Sequence, residues 1–113
     1  MIMRIIQLYG LSLMKSTTNI PTHEAHRIAK RLLNHWKHKF EVNESQEQQE
    51  HTIFSIFMPE ATVKLNAFTD ALKVDIITER EDYMMLENVV IDHLNRMAQQ
   101  QFDVVWQRSN ENI

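Results

Sequence analysis

A change of hydrophobic period partway along the chain constrains its fold more than any other feature. Up to Phe40, the residues Ala25, Ile28, Ala29, Leu32, Leu33, Trp36 and Phe40 recur three and four positions apart. That spacing is one face of a helix of about five turns. Ile20-Pro21-Thr22 marks its start, because proline cannot continue a preceding helix and the Thr22 hydroxyl suits the first free backbone amides. Beyond Phe40 the period drops to two. Phe40 and Val42 begin one alternation. His51 to Met58 (HTIFSIFM) is β-branched and aromatic, with Ile53 and Phe57 on one face and Phe54, Ile56 and Met58 on the other, and Pro59 ends it. Ala61, Val63, Leu65 and Ala67 alternate with Thr62, Lys64 and Asn66, the mark of a half-buried strand. Thr69-Asp70-Ala71 reads as a turn, followed by Leu72, Val74 and Ile76 in a further strand. Short connections make such strands antiparallel neighbours.

Helical spacing then returns near Thr78. Glu79, Glu81 and Asp82 crowd the first turn, where the helix dipole favours negative charge. Tyr83, Leu86, Val89, Val90, His93, Leu94 and Met97 form the inner stripe. Phe102 to Gln107 reads as a closing strand, and the chain from Arg108 as a polar tail. The expected order is α-β-β-β-β-α-β. The fold class is α+β, a two-layer sandwich with two helices packed on one face of a mostly antiparallel sheet. A chain of 113 residues fits one such domain, placed at 21–107 between an N-terminal extension (1–20), expected to be weakly ordered, and a tail (108–113). The doubly apolar strand at His51 to Met58 asks for a cover on the second face of the sheet, supplied by a homodimer partner or by the extension.

The opening MIMRIIQLYGLSL carries one positive charge, Arg4, and no small-residue cleavage site follows it. It reads as an upstream extension, with Met14 the natural start. No stretch approaches the ~20 apolar residues of a membrane span. The expected location is cytoplasmic, with no membrane partner.

Two absences exclude whole chemistries. With no cysteine there are no disulfides, thiolate metal sites or cysteine nucleophile. With Gly10 the only glycine, no Rossmann fingerprint, phosphate-binding loop or nucleophile elbow can form. The net charge of -3 gives no support to nucleic-acid binding. Charge is nevertheless uneven. Arg27, Lys30, Arg31, Lys37 and Lys39 face only Glu24 between Thr22 and Phe40, whereas Glu41 to Glu60 holds five glutamates and no basic residue.

The six histidines carry what chemistry remains. His23-Glu24-Ala25-His26 lacks the four-residue spacing of a zinc-protease helix. On the first helix Arg27, Arg31, His35 and His38 form a stripe of donors suited to a carboxylate, a phosphate or another small anionic ligand. His93 lies near the middle of the second apolar stripe. There it is either a core histidine bonded to a carbonyl or hydroxyl, or the partner of His35 at a metal or haem iron.

Asn34 to Phe40 (NHWKHKF), Val89 to Met97 (VVIDHLNRM) and Val104 to Gln107 (VVWQ) resemble the bacterial family known as domain of unknown function 2218. The resemblance runs from about His23 to Gln107. The loop after Val42 departs from it in its glutamate and glutamine content, and residues 1 to 13 match nothing. Members of that family are associated with siderophore-interacting ferric reductases, sometimes fused to them. The resemblance therefore implies a non-catalytic accessory or binding module in iron–siderophore or haem utilisation, with iron or haem as the expected cofactor and such a reductase as partner. It marks His35, Trp36, His38, Lys39 and His93 as the positions to follow. Two other readings stay open: a homodimerising structural domain, and a small enzyme with His35 or His93 as acid–base.

Overall fold

The computed structural model describes residues 12–47 and 51–112. Its elements run β1 (Ser12–Pro21), α1 (Ala25–Trp36), β2 (Glu41–Glu47), β3 (His51–Met58), β4 (Ala61–Ala67), β5 (Ala71–Thr78), α2 (Tyr83–Ala98) and β6 (Gln107–Asn112). The six strands form one antiparallel sheet in the order β2-β3-β4-β5-β1-β6. The α+β two-layer sandwich is as expected, with both helices on one face.

Register sorts the side chains. Phe54, Leu65, Val74 and Thr18 stand in one row across β3, β4, β5 and β1, and Ile56, Val63, Ile76 and Ser16 in the next. Both rows are buried under the helices. The apolar stripe of α1 packs as its spacing predicts, with Ala25, Ile28, Ala29, Leu32, Leu33 and Trp36 all buried. Burial of these apolar groups is the main force holding the layers together. No helix among the described residues is long and apolar enough to cross a membrane.

Three expectations need correction. First, Ser12–Pro21 is not part of a weakly ordered extension but strand β1, paired on both sides, to β5 and to β6. Of its buried residues Ser16, Thr18 and Ile20 only the last is apolar, so no apolar alternation announced it. The Ser16 and Thr18 hydroxyls bond to Glu87 Oε2 at 2.6 Å and to the Val105 carbonyl at 2.9 Å. Residues 1–11, and with them most of the expected upstream extension, lie outside the described residues. Second, the closing strand is Gln107–Asn112 and not Phe102–Gln107. The segment 101–106 has no regular structure. The supposed tail instead forms the sheet edge, where one strand neighbour suffices and polar side chains are tolerated. Third, α2 starts at Tyr83, and its buried face is Leu86, Glu87, Val90, Leu94, Asn95 and Ala98. That face is rolled away from Val89 and His93. The roll is possible because both polar members are bonded: Glu87 to Ser16 and Arg108, and Asn95 through its Oδ1 to the Phe102 amide at 3.0 Å.

The second face of the sheet carries Ile53, half-buried, and Phe57, 44% exposed. Between its apolar groups runs a buried polar row. Asp75 accepts bonds from the Thr17 hydroxyl at 2.8 Å and from Asn66 Nδ2 at 3.1 Å.

Scarcity of glycine shows at the end of α2. Gln99 takes the left-handed conformation (φ 56°), and Gln100 donates its amide to the Asn95 carbonyl at 3.1 Å. That position usually holds glycine, which has no Cβ to clash. Gln99→Gly is expected to raise stability by about 0.5–1 kcal/mol, read as a higher urea midpoint at unchanged slope. A lower midpoint would mean that the glutamine side chain contributes contacts of its own.

Candidate functional site

The C-terminal end of α1 meets the N-terminal half of α2 beside the β3–β4 turn. Trp36 is the last residue of α1 and is buried. Its ring lies edge to face with Phe40, centroids 6.0 Å apart. The roll of α2 leaves His93 half-buried instead of in the core. Its ring sits 4.8 Å from Trp36 and 5.5 Å from His35. The two histidines chosen from the sequence thus converge, one from each helix.

His93 Nδ1 lies 2.8 Å from the Val89 carbonyl. A carbonyl can only accept, so the proton resides on Nδ1. In the neutral ring Nε2 then keeps its lone pair, available to a metal or a donor. Metal-binding histidines commonly have their other nitrogen fixed in this way.

Around these rings Trp36, Lys39, Phe40, Met58, Pro59, Arg80, Met85, Leu86, Val89 and His93 line a groove of about 280 Å³. The lining holds two cations and no carboxylate. Lys39 Nζ lies 5.5 Å from the centre of the Phe40 ring. Arg80 is paired to Asp82 through Nε–Oδ1 at 2.8 Å and Nη2–Oδ2 at 2.6 Å. That pairing holds the Asp82 carboxyl below its usual range and raises the guanidinium. Met84 and Met85, 56% and 60% exposed, stand at the first turn of α2.

The other expected residues lie elsewhere or are engaged. Arg31 Nη1 donates to the Met97 carbonyl at 3.0 Å and so ties α1 to the last turn of α2. Arg27 is paired to Glu24. His35 and His38 are exposed. The donor stripe of Arg27, Arg31, His35 and His38 is therefore not a single row free for one anion. Sequence reasoning missed Arg80, Met58 and Met85, which the fold brings to the groove from the β5–α2 connection, β3 and the start of α2. Met84 and Met85 did leave a trace, as methionines outside the apolar stripe. Among the described residues no group of three or more His, Asp or Glu side chains is placed to hold a metal ion.

Comparison with known proteins agrees with this architecture. The NMR structure of PA4090 from Pseudomonas aeruginosa is 34% identical to this chain, with a TM-score of 0.62. The match covers 82% of this chain and 94% of PA4090. No curated protein matches the chain. Residues 17–107, which take in the second half of β1 and every residue of the groove, match the family described as an uncharacterized protein conserved in bacteria, DUF2218. The chain belongs to that family.

Proposed function

We propose that the chain is a non-catalytic binding module whose ligand occupies the groove between Trp36 and His93. The observation that carries this reading is the state of His93. Its Nδ1–H is committed to the Val89 carbonyl, its ring stands beside Trp36, and an apolar, carboxylate-free groove opens next to it.

The finer reading is iron in a chelate, or haem, handled as an accessory to a siderophore-interacting reductase. Two imidazoles 5.5 Å apart supply only part of an iron coordination sphere. Among the described residues no third ligating side chain stands near them, and the residues described do not fit a resident metal ion. They fit iron that arrives with its own donors, as cargo. The aromatic floor suits a flat organic chelator, and Lys39 and Arg80 suit its negative charge.

Titration of the full chain with haem, a ferric catecholate complex and free divalent metals tests this, followed by tryptophan fluorescence. The expected result is saturable binding of haem or the ferric complex, weakened about ten-fold or more in both His93→Ala and His35→Ala, with little response to the free metals. If neither iron compound binds more tightly than about 100 μM, or if both substitutions leave binding unchanged, the iron reading fails.

A further inference from the structure

The groove has a second chemical feature, independent of the histidines. Arg80 is the one guanidinium lining it, and Arg80 is engaged by an acid two residues away. Asp82 is also the residue at the N-cap of α2, where an aspartate normally accepts bonds from the first free amides of the helix. Here its side chain makes no capping bond: its backbone (φ −90°, ψ 42°) is outside the usual N-cap region, and both carboxylate oxygens are turned to Arg80. Asp82 thus has two competing uses, and the turn it fails to cap carries Met84, Met85 and Leu86, of which the last two line the groove.

We infer that the groove takes an aromatic carboxylate, whose carboxylate replaces Asp82 on Arg80 and so releases Asp82 to cap α2. This rests on the groove being the ligand site, as proposed above, and adds the chemical class of the ligand. The lining fits that class. Trp36, Phe40 and Met58 offer an apolar bed for a ring, and Lys39 and Arg80 offer positive charge in a lining without a carboxylate, Arg80 being countered only from outside it by Asp82. A guanidinium binds a planar carboxylate through two parallel bonds, a geometry a point charge cannot match. Exchange is easy because the Arg80–Asp82 pair is exposed and local, a kind of ion pair that holds weakly. Methionine side chains at the lip adapt their shape to the ring that enters. Once Asp82 turns back to the helix amides, the first turn of α2 tightens and the lip becomes a fixed wall.

The probes are 2-naphthoate and its neutral methyl ester, titrated into the full chain by calorimetry, with amide exchange of Met84 and Met85 followed by NMR. The acid is expected to bind about ten-fold more tightly than the ester. Arg80→Gln should bring that ratio close to one while leaving the ester's affinity in place. Asp82→Asn, which removes the competing charge and can still cap, should tighten the acid by about three-fold without affecting the ester. Exchange at Met84 and Met85 should slow when the acid binds and not when the ester binds. Equal binding of acid and ester overturns the inference, as does absence of binding by either at about 1 mM. So does an acid preference that survives Arg80→Gln or disappears only with Lys39→Gln. Asp82→Asn without tightening overturns the exchange. His93→Ala separates this from the iron reading: it should weaken binding of the iron compound about ten-fold or more and preserve the acid-to-ester ratio.

Discussion

Phe54→Ala is expected to lower the unfolding free energy by about 3–5 kcal/mol, enough to bring a domain of ordinary stability close to half-unfolded. Phe54 is fully buried in β3 and faces Leu65 across the strand pair. Its ring meets the edge of His26 from α1 at 5.1 Å, and Lys30 Nζ lies 6.0 Å from the ring centre. Removing the ring leaves a hole between helix and sheet that backbone on both sides keeps from collapsing. The comparison residue is Phe57, three positions along the same strand and on the opposite face, 44% exposed. Phe57→Ala should cost well under half as much in the same urea titration. Because a slip of one residue exchanges the two faces, equal losses would contradict the register.

The second large effect is at the junction of α2 with the outer strands. Glu87 is buried, and its carboxylate accepts Arg108 Nε at 2.8 Å, Arg108 Nη2 at 2.7 Å and the Ser16 hydroxyl at 2.6 Å. Burial pushes this carboxyl up, but the Arg108 hydrogen bonds and charge, with the Ser16 bond, outweigh it and hold the group below its ordinary value. Arg108→Met strands a buried negative charge and is expected to lower the melting midpoint by roughly 10 °C. Combining it with Glu87→Leu should recover most of the loss, since replacing both members of such a pair by apolar groups is often neutral. The pH dependence has a definite sign. The unfolded glutamate binds its proton near the ordinary value of 4.5, before the folded one does. The pair's contribution is therefore complete above that pH and drains away as the pH falls through the lower native value. In Arg108→Met the trend reverses, because protonation relieves the stranded charge. Thermal melts of the three proteins between neutral pH and about pH 3.5 check this. A double variant no more stable than Arg108→Met would show that the loss is one of packing.

The same junction explains which elements the sequence announced. The stripe of α1 and the alternation in β3, β4 and β5 were legible because each buries apolar side chains at its own period. β1 and β6 were not. Ser16 and Thr18 are buried through hydroxyl bonds to partners 71 and 87 residues away, and β6 is a run of polar residues on the sheet edge. Nothing local to SLMKSTTNIP or QRSNEN encodes those partners. The roll of α2 escaped notice for the same reason, since Glu87 and Asn95 are acceptable inside only once Arg108, Ser16 and the Phe102 amide are in place. At the groove, His35, Trp36, Lys39 and His93 stood out through helix spacing and the family motif. Arg80 and Met58 did not, because only the finished fold sets the β3–β4 turn and the β5–α2 connection beside the end of α1.

The pairing of β1 with β6 also bears on the order of assembly. Ser12 stands opposite Asn112, whereas β3, β4 and β5 join through short turns. Closing a loop of almost the whole chain costs more entropy than closing a hairpin, and it is repaid only when the remainder is already built. The hairpins are therefore expected to form first and β6 last. Beyond its ladder to β1, Arg108 on Glu87 clamps β6 to α2, so the charge that holds the finished edge is expected to act late in folding.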